Sequence, residues 1–184
     1  LGLPPAVTAA TGIDAMVHAI EAYTSRLLKN PLSDMLAMQA LSLLSGNLLT
    51  ACRDGSNLPA REAMLLGAML AGQAFANAPV AAVHALAYPI GGMFHVPHGL
   101  SNALVLPHVL RFNLSHAAPL YAQLAAVVQP GITGSEEARA EALIDAMHDI
   151  ALATGIARTL REVGIAASDL DRLADEAMLQ TRLL

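Results

Sequence analysis

The longest stretch of the chain without a charged residue sets the strongest constraint on its fold. Residues 63–110 contain no Asp, Glu, Lys or Arg in 48 positions, whereas residues 136–182 carry 15 of the 25 charges. Because so long an uncharged stretch is unfavourable in water, we expect it to form the central helices, covered by the charged third or by a partner. The side chains predicted to have low accessibility are Leu66, Leu70, Leu86 and Leu104.

A membrane-spanning helix is the competing interpretation, since about 20 apolar residues suffice for one. Polar and helix-breaking residues interrupt the stretch, among them Gln73, Asn77, Pro79, His84, Pro89, Gly91 and Gly92. A lipid-facing helix does not tolerate such residues at these intervals. We therefore expect the interior of a water-soluble protein with no membrane partner.

Composition excludes further classes of partner and compartment. The net charge is -5, with one Lys and nine Arg, so no basic surface is available and no nucleic-acid partner is expected. The single cysteine, Cys52, cannot form an internal disulfide, and we interpret it as a small core residue of a cytoplasmic protein. The chain begins at Leu1 without an initiator Met or a charged leader, so we expect part of a longer protein.

Asparagine and proline mark the starts of two helices in the first half. Asn30 before Pro31 is typical of an N-cap with proline at the first helical position, and it predicts a helix to about Cys52. Asn57 predicts the start of the next helix, which runs to about Asn77.

Later helices are predicted over residues 80–88, 100–113, 117–128, 135–153 and 168–179. Pro89 and the glycines after it should end the first of these, and Pro107 should kink the second. Ser168 is a natural N-cap for the last. No segment shows the alternation of a strand. The sequence therefore predicts an all-α, bundle-like fold in a single domain, residues 1–184.

Asp14 and His18 form the first candidate site. They are four residues apart, so on a helix a carboxylate and an imidazole share one face and could bind one metal ion. An isolated pair of this kind more often forms a local hydrogen bond. Apolar neighbours favour the metal, because a buried charge is costly unless it is paired or bound to a cation.

Three of the seven histidines, His84, His95 and His98, form the second candidate site within the uncharged stretch. A lone buried histidine is usually a hydrogen-bonded core residue, but three around a Gly-Gly pair indicate a binding site. Spacing leaves open whether His95 or His98 is the last ligand. Three imidazoles and a carboxylate without a thiolate suit iron(II) or zinc and argue against a structural zinc knot.

Two long segments carry a family resemblance: TAATGIDA at residues 8–15 and VHALAYPIGGMFHVPHGLSNALVLPHVLRFN at residues 83–113. They closely resemble the iron-containing (group III) alcohol dehydrogenases. The resemblance extends from Leu1 to about Val128 and continues more weakly to the end. It implies that this chain is the helical metal-binding half of a two-domain enzyme, preceded by an N-terminal nucleotide-binding α/β domain.

The resemblance also implies a ligand set, listed here as Asp14, His18, His84 and His98, and so selects His98 over His95. The family places a second histidine four residues after His84, near the nicotinamide, and credits it with proton relay. Tyr88 stands there instead. A phenol with a pKa of about 10 is a poorer base than an imidazole, so Tyr88 is expected to orient cofactor or substrate, or only to pack. His95 is the other candidate for a titrating catalytic group.

The implied function is a metal-dependent, NAD- or NADP-linked alcohol dehydrogenase that interconverts a small alcohol and its aldehyde or ketone. Fe2+ is the expected metal, with Zn2+ possible, and the expected assembly is a homodimer. The isolated half should be inactive. The enzymatic alternatives are a zinc enzyme of the glycerol-dehydrogenase type and a maleylacetate-reductase-like enzyme. The alternative from another class is a helical metal-binding module without catalysis.

Overall fold

The computed structural model describes residues 1–181, which form seven α-helices and two short 3-10 helices without a β-strand. The helices are α1 (Pro5–Tyr23), α2 (Pro31–Arg53), α3 (Leu58–Asn77), α4 (Ala82–Phe94), α5 (His98–Val128), α6 (Glu136–Thr154) and α7 (Leu170–Met178). The predicted all-α fold is confirmed. Helix α1 lies at the centre, packed against α2, α3 and α5, and α6 packs along α5.

The predicted N-caps of α2 and α3 are confirmed. The Asn30 side chain accepts a hydrogen bond from the Ser33 backbone N–H at 2.9 Å, and Asn57 accepts one from that of Ala60 at 3.0 Å. Each satisfies an N–H that has no partner within its helix. Ser135 caps α6 in the same way. The long helices therefore begin where the sequence places them.

The prediction that Pro89 ends the helix is wrong. Helix α4 continues through Pro89 to Phe94. A proline inside a helix removes one backbone hydrogen bond and costs about 3 kcal/mol. Pro89 and Ile90 are both buried, so tertiary packing offsets that loss. The helix ends at His95, which has a left-handed backbone conformation (φ 57°).

The helices predicted over 100–113 and 117–128 are one helix, α5, of 31 residues. Pro107 and Pro119 both lie inside it. The residues between the two predicted helices include neither glycine nor proline, so nothing local prevents continuation. Packing against α6, α1 and α4 supports this helix.

The predicted N-cap at Ser168 is wrong. Ser168 lies inside a 3-10 helix, Ala167–Asp169, and α7 begins only at Leu170. The Asp169 carboxylate accepts a hydrogen bond from the Ala166 N–H at 2.9 Å, which closes this turn. A serine hydroxyl therefore has no free helix terminus to cap there.

Of the four leucines predicted to have low accessibility, Leu104 is confirmed as buried and Leu66 is exposed within the described residues. Leu104 is buried, and Leu70 and Leu86 are partly buried. Leu66 is 45% exposed and Leu65 is 75% exposed, because only one face of α3 meets α1 and α2. The opposite face is uncovered within residues 1–181.

Cys52 was expected in the core and is half-buried. Its sulfur lies 3.8 Å from the Pro5 carbonyl oxygen, and burial raises the pKa of its thiol above the ordinary value.

One helix in the described part of the chain, α2, is long and apolar enough to cross a membrane by length and composition alone. Helices α3 and α4 meet the same criterion only when taken together, across a bend of 107°. Buried helices of water-soluble proteins meet it as well, so this finding is weak support for a membrane location.

Candidate metal centre

Three helices contribute the candidate ligands. Asp14 and His18 lie one turn apart on α1, as their spacing predicts. His84 lies in the first turn of α4, and His98 is the first residue of α5. The chain passes from α4 to α5 through His95, which has a left-handed backbone. Both helices begin near α1, because the Val83 N–H donates to Glu21 and His98 Nε2 lies 3.7 Å from Asp14 Oδ1.

Gly99 allows the start of α5 to touch the backbone of α1. A Cβ atom at this position would lie 2.4 Å from the Ala10 carbonyl oxygen and 3.2 Å from the Thr11 nitrogen. Real Cβ contacts are not this short, and the backbone of a buried helix cannot turn aside as a flexible side chain could. The absence of a side chain at Gly99 therefore sets how closely His98 approaches Asp14.

The four predicted ligands converge. One donor atom from each of Asp14, His18, His84 and His98 lies within 4.8 Å of every other. Asp14 Oδ1 is 3.7 Å from both His84 Nε2 and His98 Nε2. Donors bound to one ion at about 2.0–2.3 Å can be at most about 4.6 Å apart, so the cluster needs only small inward shifts. The donor set fits iron(II) or zinc.

Ring stacking holds the imidazoles in place. The His18 ring lies between Phe75 and His84, with centroid distances of 4.6 and 4.7 Å and nearly parallel planes. Tyr88, one turn after His84 on α4, stacks on His98 at 5.8 Å and meets His84 edge-on at 6.2 Å. The phenol therefore borders the ligand cluster, as its sequence position predicts.

Burial differs across the cluster. The side chain of His84 is 2% exposed, that of Asp14 18% and that of His98 46%, so the centre has a closed side and an open side. Burial lowers the pKa of His18 below its ordinary value, and the neighbouring His84 and His98 lower it further, while Asp14 acts in the opposite direction. A neutral His18 keeps a nitrogen lone pair available for a metal.

Glu21 also belongs to this site, although it was not among the predicted site residues. It is only 4% exposed. Its Oε1 accepts a hydrogen bond from the Val83 N–H at 2.7 Å, and its Oε2 lies 2.6 Å from His84 Nδ1. Its position, seven residues after Asp14 on the same helical face, was the available signal.

Asn102 is the second residue that was missed. Its Nδ2 donates a hydrogen bond to Asp14 Oδ1 at 2.5 Å and lies 3.2 Å from both His84 Nε2 and His98 Nε2. Its Oδ1 is buried and, within the described residues, has no hydrogen-bond partner. The Asn102 NH2 group is thus surrounded by three atoms that can accept hydrogen bonds. A pocket lined by three such acceptors suits a positively charged ligand. Its spacing of four residues from His98 was the available signal.

A comparison with known families decides the relationship. A family model described as "Fe-containing alcohol dehydrogenase family, C-terminal" matches residues 8–184. The chain belongs to this family. The 1,3-propanediol dehydrogenase from Klebsiella pneumoniae is 44% identical to this chain over 179 residues, which cover 97% of this chain and 46% of that protein. Alcohol dehydrogenase 4 from Saccharomyces cerevisiae (strain YJM789) is 41% identical over 177 residues, covering 96% of this chain and 45% of that protein.

Solved structures of similar proteins share the fold of this chain. A crystal structure of 1,3-propanediol oxidoreductase superposes with a TM-score of 0.94 at 43% identity, covering 97% of this chain and 47% of that one. Maleylacetate reductase from Agrobacterium tumefaciens superposes with a TM-score of 0.83 at 32% identity, covering 96% and 47%. The chain therefore spans about half the length of the relatives it matches.

The remaining histidines of interest lie elsewhere. His95 is exposed at the end of α4, and it takes no part in the ring stacking found among residues 1–181. His116 and His148 are exposed, as their polar surroundings predict. The structure thus brings together the four side chains that the family resemblance selects and places Tyr88 beside them. The catalytic roles of Tyr88 and His95 stay predictions.

Proposed function

We propose that this chain supplies the metal-binding half of a metal-dependent, NAD(P)-linked alcohol dehydrogenase. The observation that carries the proposal is the convergence of Asp14, His18, His84 and His98 from three helices within 4.8 Å. Family membership supports it, because the family is named for its iron. Fe2+ is the proposed metal, and Zn2+ suits the same donors.

Each ligand would have a defined task. His18 and His84, on the closed side, would donate neutral nitrogens, and Asp14 would donate a negative charge. His98, on the open side, would complete the set where a small substrate can approach. The bound cation would supply Lewis-acid chemistry, withdrawing electron density from the oxygen of the alcohol or aldehyde.

Tyr88 is the residue proposed to orient the nicotinamide or the substrate. Its ring is held against His98, at the edge of the open side. A neutral phenol can donate one hydrogen bond and accept others without gaining charge. His95 is proposed as a titrating group only if a bound cofactor approaches the end of α4.

The proposed partners are a small alcohol or aldehyde and an N-terminal nucleotide-binding domain of the same protein. The relatives named 1,3-propanediol dehydrogenase and lactaldehyde reductase suggest short-chain substrates for a first panel. The open side of the centre is the surface on which the nucleotide would be placed. A cytoplasmic homodimer is the assembly we propose.

The test is a metal titration of the full-length protein. Protein stripped with a chelator should regain alcohol oxidation with NAD or NADP when Fe2+ (without oxygen) or Zn2+ is added. His98→Ala should abolish turnover and leave nucleotide affinity nearly unchanged, because in this proposal the imidazole would hold the metal that binds the substrate oxygen and would not hold the nucleotide phosphates. His148→Ala removes an exposed imidazole on α6 and is the matched control.

Two outcomes would contradict the proposal. Full activity of His98→Ala would remove this residue from the centre. Turnover by the metal-free wild type would favour chemistry like that expected for the maleylacetate-reductase alternative.

A further inference from the structure

We infer that Glu21 is a positioning residue that fixes the tautomer and the orientation of His84. The inference deepens the proposed metal site and rests on it only for the metal-binding measurement below. It starts from an unusual observation, a carboxylate buried to 4% exposure in the last turn of α1, a mostly apolar helix. Such a group is retained only where both oxygens are satisfied.

Both oxygens of Glu21 are satisfied by the start of α4. Oε1 accepts from the Val83 backbone N–H at 2.7 Å, and Oε2 lies 2.6 Å from His84 Nδ1. The Val83 N–H lies in the first turn of α4, where an N–H has no partner within its helix. The carboxylate therefore replaces the missing helix cap, since α4 has no side-chain cap of its own at Ala81.

The same carboxylate determines which nitrogen of His84 carries the proton. A carboxylate accepts hydrogen bonds and cannot donate them, so Nδ1 must be the protonated nitrogen. Nε2 then keeps its lone pair, which faces the ligand cluster, 3.2 Å from the Asn102 amide nitrogen and 3.7 Å from Asp14 Oδ1. A histidine that binds a metal commonly donates its other N–H to a carboxylate in this way.

Charge balance gives a second reason for an acidic residue at this position. Asp14 and Glu21 are the only charged side chains in residues 1–25. Their two negative charges equal the charge of one divalent cation, and both are largely buried in the protein. Asp14 would bind the cation directly, while Glu21 would act through His84.

Glu21→Gln separates this role from simple packing, because it keeps the shape of the side chain. The amide oxygen must remain against the Val83 N–H, since the opposite orientation would bring two donors together in a buried site. The amide NH2 then faces His84 Nδ1, which becomes an acceptor. The proton moves to Nε2, and the lone pair no longer faces the ligand cluster.

The first measurement is nitrogen NMR on metal-free protein with labelled histidine, at mildly alkaline pH. In the wild type, His84 should be protonated at Nδ1, and this arm needs no variant. In Glu21→Gln, His84 should be protonated at Nε2, with His84→Gln used to assign the signals. Circular dichroism and thermal unfolding show whether each variant is folded.

The second measurement is Zn2+ affinity of the intact protein by competition with a chromophoric chelator. Glu21→Gln should bind about 10–100-fold more weakly than the wild type, the usual range for loss of such a partner. Glu141→Gln, an exposed carboxylate on α6, should bind as the wild type does.

The outcomes distinguish the inference from the proposed function. Nε2 protonation of His84 in the wild type, or an unchanged tautomer in folded Glu21→Gln, would overturn the inference about Glu21. A wild type that binds no Zn2+ or Fe2+ would overturn the proposed metal site, and the NMR result would still decide the role of Glu21.

Discussion

Gly99→Ala should break the contact that brings α5 against α1. The added Cβ would lie 2.4 Å from the Ala10 carbonyl oxygen, and ordinary contacts begin near 3.4 Å, so the two backbones must separate by about 1 Å. Overpacking of this kind costs about 1–3 kcal/mol. Alanine recovers up to about 1 kcal/mol through its helix propensity. With the full propensity gain, the expected net loss is about 0–2 kcal/mol in the free energy of unfolding.

The same displacement should weaken metal binding, because His98 is the residue next to Gly99. His98 Nε2 now lies 3.7 Å from Asp14 Oδ1, and a further 1 Å would exceed the limit of about 4.6 Å for two donors sharing an ion. We expect a loss of metal affinity of about tenfold or more. Urea unfolding of the metal-free protein and chelator competition measure the two effects separately.

Gly92→Ala is the matched control. It lies in α4, and a Cβ there meets nothing within 4 Å. It should stabilise the protein by up to about 1 kcal/mol and leave metal affinity unchanged. If Gly99→Ala is as stable as the wild type and binds metal equally well, the close contact does not position His98. Equal losses of stability and metal affinity in Gly99→Ala and Gly92→Ala would also contradict the prediction.

Two further predictions concern stability. Burial raises the pKa of Tyr121 to about 12, whereas a tyrosine in the unfolded chain has a pKa of about 10. As the pH rises, the unfolded chain therefore loses this proton first. The free energy of unfolding should fall by about 2–3 kcal/mol between these two pH values. Denaturant unfolding at a series of pH values should show this fall in the wild type but not in Tyr121→Phe. An identical pH dependence in both proteins would refute the prediction. Asn57→Ala removes the cap on the Ala60 N–H and should cost about 1 kcal/mol in urea unfolding, whereas no change would mean that solvent replaces the cap.

Local signals predicted the helices whose ends are capped by side chains. Asn30, Asn57 and Ser135 each bond a backbone N–H three residues ahead, an interaction that depends on adjacent sequence only. Pro89 misled the prediction, since the effect of a proline depends on what surrounds the helix. Burial of Pro89 among the core residues outweighs the hydrogen bond it removes, and no local pattern reports that.

The site was predictable in part for a similar reason. The pair Asp14 and His18 follows from helical periodicity, but spacing could not choose between His95 and His98. That choice depends on tertiary structure, which places His98 Nε2 3.7 Å from Asp14 Oδ1 and leaves His95 exposed at the end of α4. Glu21 was overlooked although it shares the face of Asp14, because its partner lies 63 residues further along the chain.

The division of the chain into an uncharged core and a charged final third has a consequence for how freely the sequence can diverge. Every residue assigned to the centre lies between Asp14 and Asn102, so residues 129–181 contribute none of its side chains. Helix α6 supports the centre from behind α5 through a buried row that includes Leu143 and Ile144. Its outer face is therefore free to change with the surroundings of the protein. A library randomised at the exposed positions of α6 should retain metal affinity in most members, while one randomised along the buried row should not.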